Sequence, residues 1–271
     1  MEILKFTLSG DTAFFKKPDV NSYYYFTYGN IHKIALMGIM GAILGFGGYN
    51  QQKIKNDIKK SSKSKELAVY PEFYERLKDI ELSIVPLQDK GYTNKKVQVF
   101  NNSVGYASKE EGGNLIVKEQ WLEKPIWDIY ISLNDEKYTE ELRDILKEFK
   151  ERMINRNFVY IPYLGKNDHY ANITDVKIYE DAKKTYLKQG EITDIYGLAL
   201  DSMFSLENDS MEEDDLFETE VKWKYQERLP IELENSWNQY ITSSCINTNF
   251  KLRAKSETYI FEIDGKRLFF L

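Results

Sequence analysis

Residues 3–9, ILKFTLS, alternate apolar and polar side chains closely enough to predict a first strand. A long loop follows, GDTAFFKKPDVNSYYYFTYGN, punctuated by Gly10, Pro18 and Gly29. Asn30 then offers an N-cap for a helix over 31–46, closed by Gly47 and Gly48. Along that helix Gly38, Gly41 and Gly45 fall on one face. Glycine costs up to about 1 kcal/mol in a helix interior, so three on one face predict a close approach of backbone, with the helix packed tightly on its sheet. The next stretch, QQKIKNDIKKSSKSKE, holds six lysines between Lys53 and Lys65 and predicts a solvated, mobile connection.

Further along, a short helix is expected at 70–79 and strands at 80–87 and 95–108. EEGGN (110–114) is a turn signal inside apolar flanks, which predicts a long β-hairpin arm. A strand at 126–133 precedes a helix starting at Asn134 or Asp135, with Tyr138, Leu142, Ile145, Leu146, Phe149 and Met153 on one face. Strand character returns at 157–165, 173–180, 192–200 and 216–226. The chain then closes on a hairpin whose turn is Asp264-Gly265. This is an α+β order rather than the strict alternation of a doubly wound sheet. A ferredoxin-like (RRM-like) βαββαβ core with insertions accommodates it.

Composition adds that 271 residues, 42% hydrophobic and 30% charged, suffice for a substantial globular core. The 14% aromatic share suits pleated, half-buried sheet surfaces, and a few of these rings can serve as stacking platforms. One cysteine, Cys245, leaves no internal disulfide or cysteine zinc site and fits a reducing cytosol. No signal peptide is read at the N-terminus, and the apolar stretch 34–46 is too short to span a bilayer, so a cytoplasmic protein with no membrane contact is expected. The net charge of −6 is unevenly placed. Residues 207–220, ENDSMEEDDLFETE, carry eight carboxylates; without them the chain holds 37 basic against 35 acidic residues. The first hundred residues hold 15 basic against 10 acidic, so a local basic face for phosphates is compatible with the total.

That face is expected around the start of the 31–46 helix. Phe15, Lys16, Lys17, Asn30, His32 and Lys33 cluster there with further aromatics (Phe14, Tyr23, Tyr24, Tyr25, Tyr28). A helix start offers free N–H groups and partial positive charge; with bases and aromatics beside it, the set suits single-stranded RNA. The stretch GDTAFFKKPDVNSYYYFTYGNIHKIALMGIMGAILGFGGYN resembles the N-terminus of the fifth core family of CRISPR-associated proteins, in the version found in type I-B systems. Residues 104–131, residues 161–180 and the closing aromatic hairpin resemble the same family in order, whereas 181–250 offers no matching stretch.

The resemblance implies a repeat-associated (RAMP) protein with a ferredoxin-like domain over 1–180 and a smaller β-rich region over 181–271. The hairpin at about 98–122 would be a thumb. Such a protein is a non-catalytic Cascade subunit that holds the 5′ handle of the crRNA in antiviral defence. Its partners are the Cascade backbone subunit and large subunit, and it meets target DNA only indirectly, through guide pairing. Carried onto this chain, the RNA-binding set is Phe15, Lys16, Lys17, Asn30, His32 and Lys33, then Tyr106, Lys109 and Lys118 on the thumb, and Lys166, Asn167 and His169 nearby.

Relatives in other subtypes cleave repeat RNA without metal. His32, Lys33 and a tyrosine from 23–28 could compose a comparable metal-independent endoribonuclease set, with histidine as base and lysine on the phosphorane. The type I-B version leaves that work to a separate enzyme, so no catalytic residue is expected. A scaffold whose basic loop touches protein is a third reading. No cofactor or metal is expected either. EEDD in 207–220 lacks the glycine-centred calcium loop, no GxxxxGK[ST] occurs, GFGG (45–48) follows a helix, and two histidines support no Ser–His–Asp set.

Overall fold

The computed structural model describes residues 1–19, 24–61, 67–101, 105, 109–111, 115–207 and 221–271. The chain is a mixed α and β protein, mostly strands with few helices. Its first part runs β1 (Ile3–Ser9), β2 (Thr12–Ala13), α1 (Lys33–Leu44), α2 (Tyr49–Ser61), α3 (Glu72–Leu77) and β3 (Leu82–Pro86). There follow β4 (Lys95–Asn101), β5 (Ile116–Glu123), β6 (Ile126–Ser132), α4 (Glu140–Asn155) and β7 (Asn172–Tyr179). The described elements of the remainder are all strands. They are β8 (Lys183–Leu187), β9 (Ile192–Thr193), β10 (Ala199–Leu200), β11 (Phe204–Leu206) and β12 (Lys224–Leu233), then β13 (Tyr240–Thr248), β14 (Leu252–Ala254), β15 (Thr258–Ile263) and β16 (Lys266–Leu268).

The central sheet has the order β3-β6-β1-β7 and is antiparallel throughout. Its register places Leu4, Phe6 and Leu8 opposite Ile131, Ile129 and Trp127. These six side chains form one face, and α1, α3 and α4 cover it with Leu36, Met40, Phe73, Leu146 and Phe149. On the other face Ile3, Val85 and Tyr130 meet Phe261, Leu268 and Phe270 from the C-terminal segment. That face also holds Lys5, 5% exposed, paired with Asp128 at 2.8 Å and Asp175 at 2.6 Å. Leu229, Leu233 and Cys245 join the main core from β12 and β13.

Several expected elements shift, each for a local reason. Helix α1 begins at Lys33, capped by His32, whose Nδ1 accepts the Ala35 N–H at 3.2 Å. Asn30 is instead fully buried, its Oδ1 accepting Trp127 Nε1–H at 2.9 Å. Gly45 ends α1 with φ 84°, ahead of Gly47 and Gly48. Of the three glycines on its face, a Cβ at Gly41 would stand 2.5 Å from Phe73 Cβ on α3, while Gly38 has nothing within 4 Å. The close approaches are therefore to α3 at Gly41 and to the Val159 side chain, at 3.0 Å, at Gly45, rather than to the sheet. The described part of the lysine-rich connection folds as α2, because Gln52 and Asn56, one turn apart, tie it to the backbone of Ala68 and Val69. Helix α4 starts at Glu140 under a Thr139 cap, since Asn134 accepts from Glu2 N and Asp135 from Lys137 N. Residues 157–165 form no strand: Val159 and Tyr160 donate their N–H groups to the Ile43 and Ala42 carbonyls, closing the end of α1.

The β4–β5 hairpin and the terminal hairpin form where expected, the latter with Asp264 and Gly265 at φ 51° and 73° in its turn. Among the described residues no helix is long and apolar enough to cross a membrane. Tyr106 and nearly all of the acidic run 207–220 lie outside the described residues.

Candidate nucleic-acid interface

After β1 the chain joins the outer edge of the β4–β5 hairpin. Thr12 and Ala13 pair with Glu123 and Leu122, and the chain then extends through Lys17. Residues 24–28 return beside it: Lys17 N–H donates to Phe26 O at 2.8 Å and Tyr28 N–H to Phe15 O at 2.9 Å. The returning arm also bonds to β5, with Tyr25 N–H donating to Lys118 O and Gln120 N–H to Tyr25 O, each at 2.9 Å. The loop is thus an extension of the hairpin sheet, held on two sides by backbone.

This arrangement decides which side chains reach solvent. Lys16 Nζ lies 3.9 Å from the centre of the Tyr25 ring, and Lys118 Nζ lies 5.3 Å from that of Tyr24. Tyr24 and Phe26 stack at 6.4 Å with an interplanar angle of 27°. Tyr25 and Phe26 are 37% and 38% exposed. Alternation along the extended 24–28 arm sets these groups on its two faces, Lys16 with Tyr25 on one and Lys118 with Tyr24 and Phe26 on the other, each an ammonium over a partly open ring. Such a face takes a base by stacking and an adjacent phosphate by charge. Lys17 stands beside it, over the Tyr28 ring at 5.2 Å and paired with Glu227 at 3.2 Å.

Other expected site residues are placed elsewhere. Phe15 is 3% exposed and packs edge-on against His32 and Trp127. His32 is 3% exposed among Phe15, Tyr28 and Tyr240, and burial holds its pKa down at about 3. Asn30 is spent on Trp127, as described above. Lys33 donates to Leu271 O at 2.9 Å, with burial lowering its pKa to about 8. Hence the α1 start is interior and offers no phosphate seat. Lys166 lies across the Phe14 and Phe100 rings and pairs with Glu119 at 3.0 Å. His169 is 1% exposed, sharing a 2.6 Å hydrogen bond with Thr12 Oγ1 and meeting Trp121 edge-on. Burial and then the Lys166 charge lower its pKa. These two residues tie the hairpin base to the body. Asn167 and Lys109 are exposed.

Sequence reading missed Phe26 and, above all, Glu227. The Glu227 carboxylate accepts Gly29 N–H through both oxygens, at 3.0 and 2.9 Å, and the Tyr225 hydroxyl at 2.7 Å. It pins the loop from β12, and no local signal links positions that far apart. For Phe26 the run YYYFTY held the signal, but without a strand partner its alternation could not be phased.

The fold and surface thus define a mixed α and β protein with basic-aromatic faces at a hairpin. No protein-family model and no curated protein matches the chain. Among solved structures it is similar to a CRISPR protein from Archaeoglobus fulgidus, with a TM-score of 0.45 and 11% identity over 98% of this chain and 97% of that one. It is similar also to a chain of a CRISPR RNA-guided surveillance complex, with a TM-score of 0.46 and 10% identity over 93% and 91% of the two chains. A CRISPR-associated protein gives a TM-score of 0.32 at 11% identity over 99% and 93%. These neighbours are CRISPR-associated proteins, one of them from a surveillance complex; at such TM-scores the likeness is one of outline and carries no argument about chemistry.

Proposed function

We propose that this chain is a non-catalytic, RNA-binding subunit of a type I-B CRISPR surveillance complex (Cascade). In this reading it holds the 5′ handle of the crRNA in the cytoplasm, during antiviral defence. The backbone and large subunits are its protein partners, and target DNA is met only through the guide. The observation that carries the reading is the surface at the hairpin base, where Lys16 lies over Tyr25 and Lys118 over Tyr24. Lys16, Tyr24 and Tyr25 lie in the first of the stretches that resemble the family, and Lys118 lies in the second.

Three further features support it. Helices α1 and α4 cover one face of the sheet β3-β6-β1-β7, falling after its first and third strands in chain order, which agrees with a ferredoxin-like RAMP core over 1–180. The β4–β5 hairpin has the place of a thumb, and 181–271 that of the smaller β-rich region. Against the endoribonuclease alternative, His32 is buried, neutral at neutral pH and engaged with Ala35 N–H, while Lys33 holds Leu271. Neither is free to act as base or phosphorane clamp.

The test is fluorescence anisotropy with labelled single-stranded repeat RNA. Lys16→Ala and Tyr25→Ala are each expected to weaken binding by about five- to tenfold, given about 1–3 kcal/mol per stacked base. Unchanged binding in both would refute the surface. Metal-free incubation with the same RNA should leave it intact, and cleavage would refute the non-catalytic reading.

A further inference from the structure

Helix α2 (Tyr49–Ser61) is amphipathic the wrong way round. Surface helices normally turn their apolar stripe to the core. Here the inward positions are amides: Gln52 Nε2 donates to Val69 O at 2.8 Å, while Asn56 accepts Ala68 N–H at 2.8 Å and donates to Ala68 O at 3.0 Å. The opposite stripe is Ile54 and Ile58, one turn apart and 58% and 64% exposed. The segment on the amide side of the helix is apolar as well. Val69 O also accepts from Asn238 Nδ2 at 2.9 Å, which brings the β12–β13 turn against the same segment. Val69 is 51% exposed and Trp237, next to Asn238, is 83% exposed.

Aliphatic side chains set one turn apart on the open face of a helix mark an interaction site. The charge on this helix is mostly basic. Helix α2 carries Lys53, Lys55, Lys59 and Lys60 against Asp57, and Lys53 and Lys55 flank Ile54, Lys55 also pairing with Glu72 of α3 at 3.6 Å. We infer that this face docks a protein partner that presents apolar anchors set among carboxylates. Nucleic acid would engage the lysines and leave both isoleucines wet, since aliphatic groups neither stack on bases nor pair with them. A membrane surface calls for a broader apolar face than two isoleucines on 13 residues supply. The carboxylates of a protein partner match the lysine rim while its apolar groups cover the isoleucines. The inference stands apart from the RNA surface, which shares none of these residues.

The test places the photocrosslinking amino acid benzoylphenylalanine at Ile58 in the full chain, expressed in its native cells. The same probe at exposed Glu257 serves as control. The expected product is a protein adduct whose crosslinked peptide carries apolar residues flanked by Asp or Glu, and Ile54→Ser should abolish it. A synthetic peptide of that segment should then bind the purified chain, and Lys53→Glu with Lys55→Glu should weaken binding at least tenfold. Exchanging the peptide's carboxylates for lysines should restore affinity to that double variant. The double variant should keep its Tm and its RNA affinity, so that lost folding is distinguished from lost docking. An RNA adduct, a lipid adduct, no adduct above the Glu257 control, or peptide affinity indifferent to the charge reversal would each overturn the inference.

Discussion

Removing Glu227 should uncouple the candidate RNA surface from the C-terminal strands, with a sign that separates two explanations. Its carboxylate accepts the buried Gly29 N–H twice and the Tyr225 hydroxyl once, and it pairs with Lys17. Hydrogen bonds to a charged group contribute about 1.5–3 kcal/mol, and an orphaned buried donor costs about 1–3 kcal/mol. These bonds share one carboxylate, so their losses do not add; Glu227→Ala should cost about 3 kcal/mol in all. At about 2–4 °C per kcal/mol for a chain of this size class, Tm falls by roughly 10 °C. Charge alone predicts that losing a carboxylate beside a polyanion tightens RNA binding. Placement predicts the opposite, because the arm bearing Lys16 and Tyr25 loses its anchor. We expect Kd for single-stranded repeat RNA to rise about tenfold, equivalent to about 1.4 kcal/mol. Glu227→Gln keeps an acceptor for Gly29 N–H, loses the charge opposite Lys17, and should fall between. Anisotropy at fixed salt, well below each variant's Tm, measures this. Tighter binding by Glu227→Ala would refute the placement argument while leaving the RNA surface intact.

Three further outcomes follow from packing and burial. Gly38→Ala should stabilise the chain by about 0.5–1 kcal/mol through helix propensity, whereas Gly41→Ala, whose Cβ would stand 2.5 Å from Phe73 Cβ, should destabilise it by about 1–3 kcal/mol; urea denaturation gives both signs. His32, held at about 3 against an ordinary 6.5, takes its proton later than the unfolded chain does, so stability is full above pH 6.5 and declines from there towards pH 3, by at most about 1.4 kcal/mol per unit. The matching NMR observation is a His32 ring that does not titrate between pH 8 and 5. Gly265→Ala, at φ 73° in the terminal hairpin, should cost about 1 kcal/mol in thermal denaturation.

The elements legible in the sequence are those whose signal is local. Alternation gave β1, β6 and β7, the 3.6-residue stripe gave the buried face of α4, and Asp264-Gly265 gave the last hairpin. Where a distant group competes for a residue, local preference is overridden. Asn30 is among the best N-caps, yet Trp127 Nε1–H claims its Oδ1, and His32 caps α1 instead. Residues 157–165 have strand character, but the open carbonyls of α1 take the N–H groups a sheet would have used. The lysines of α2 suit solvent and a helix equally well, and the tie from Gln52 and Asn56 to 68–69 decides between them.

The same reasoning bears on how a basic cluster should be weighed. Proximity in sequence grouped Phe15, Lys16, Lys17, Asn30, His32 and Lys33 into one surface, yet burial divides them. Phe15, Asn30 and His32 complete the core, Lys33 secures Leu271, and Lys16 faces outwards. What joins Lys16 to Lys118 is the backbone: Tyr25 N–H on Lys118 O and Gln120 N–H on Tyr25 O seat the 24–28 arm along β5. An ammonium over a ring gains about 0.5–1 kcal/mol where it is exposed, too little to fix the arm, so the surface depends on those two bonds, on the bonds from Lys17 and Tyr28 to the facing segment, and on Glu227 behind them. A counted charge is therefore a weak argument for a nucleic-acid surface in this chain, and a charge whose position the backbone enforces is a stronger one.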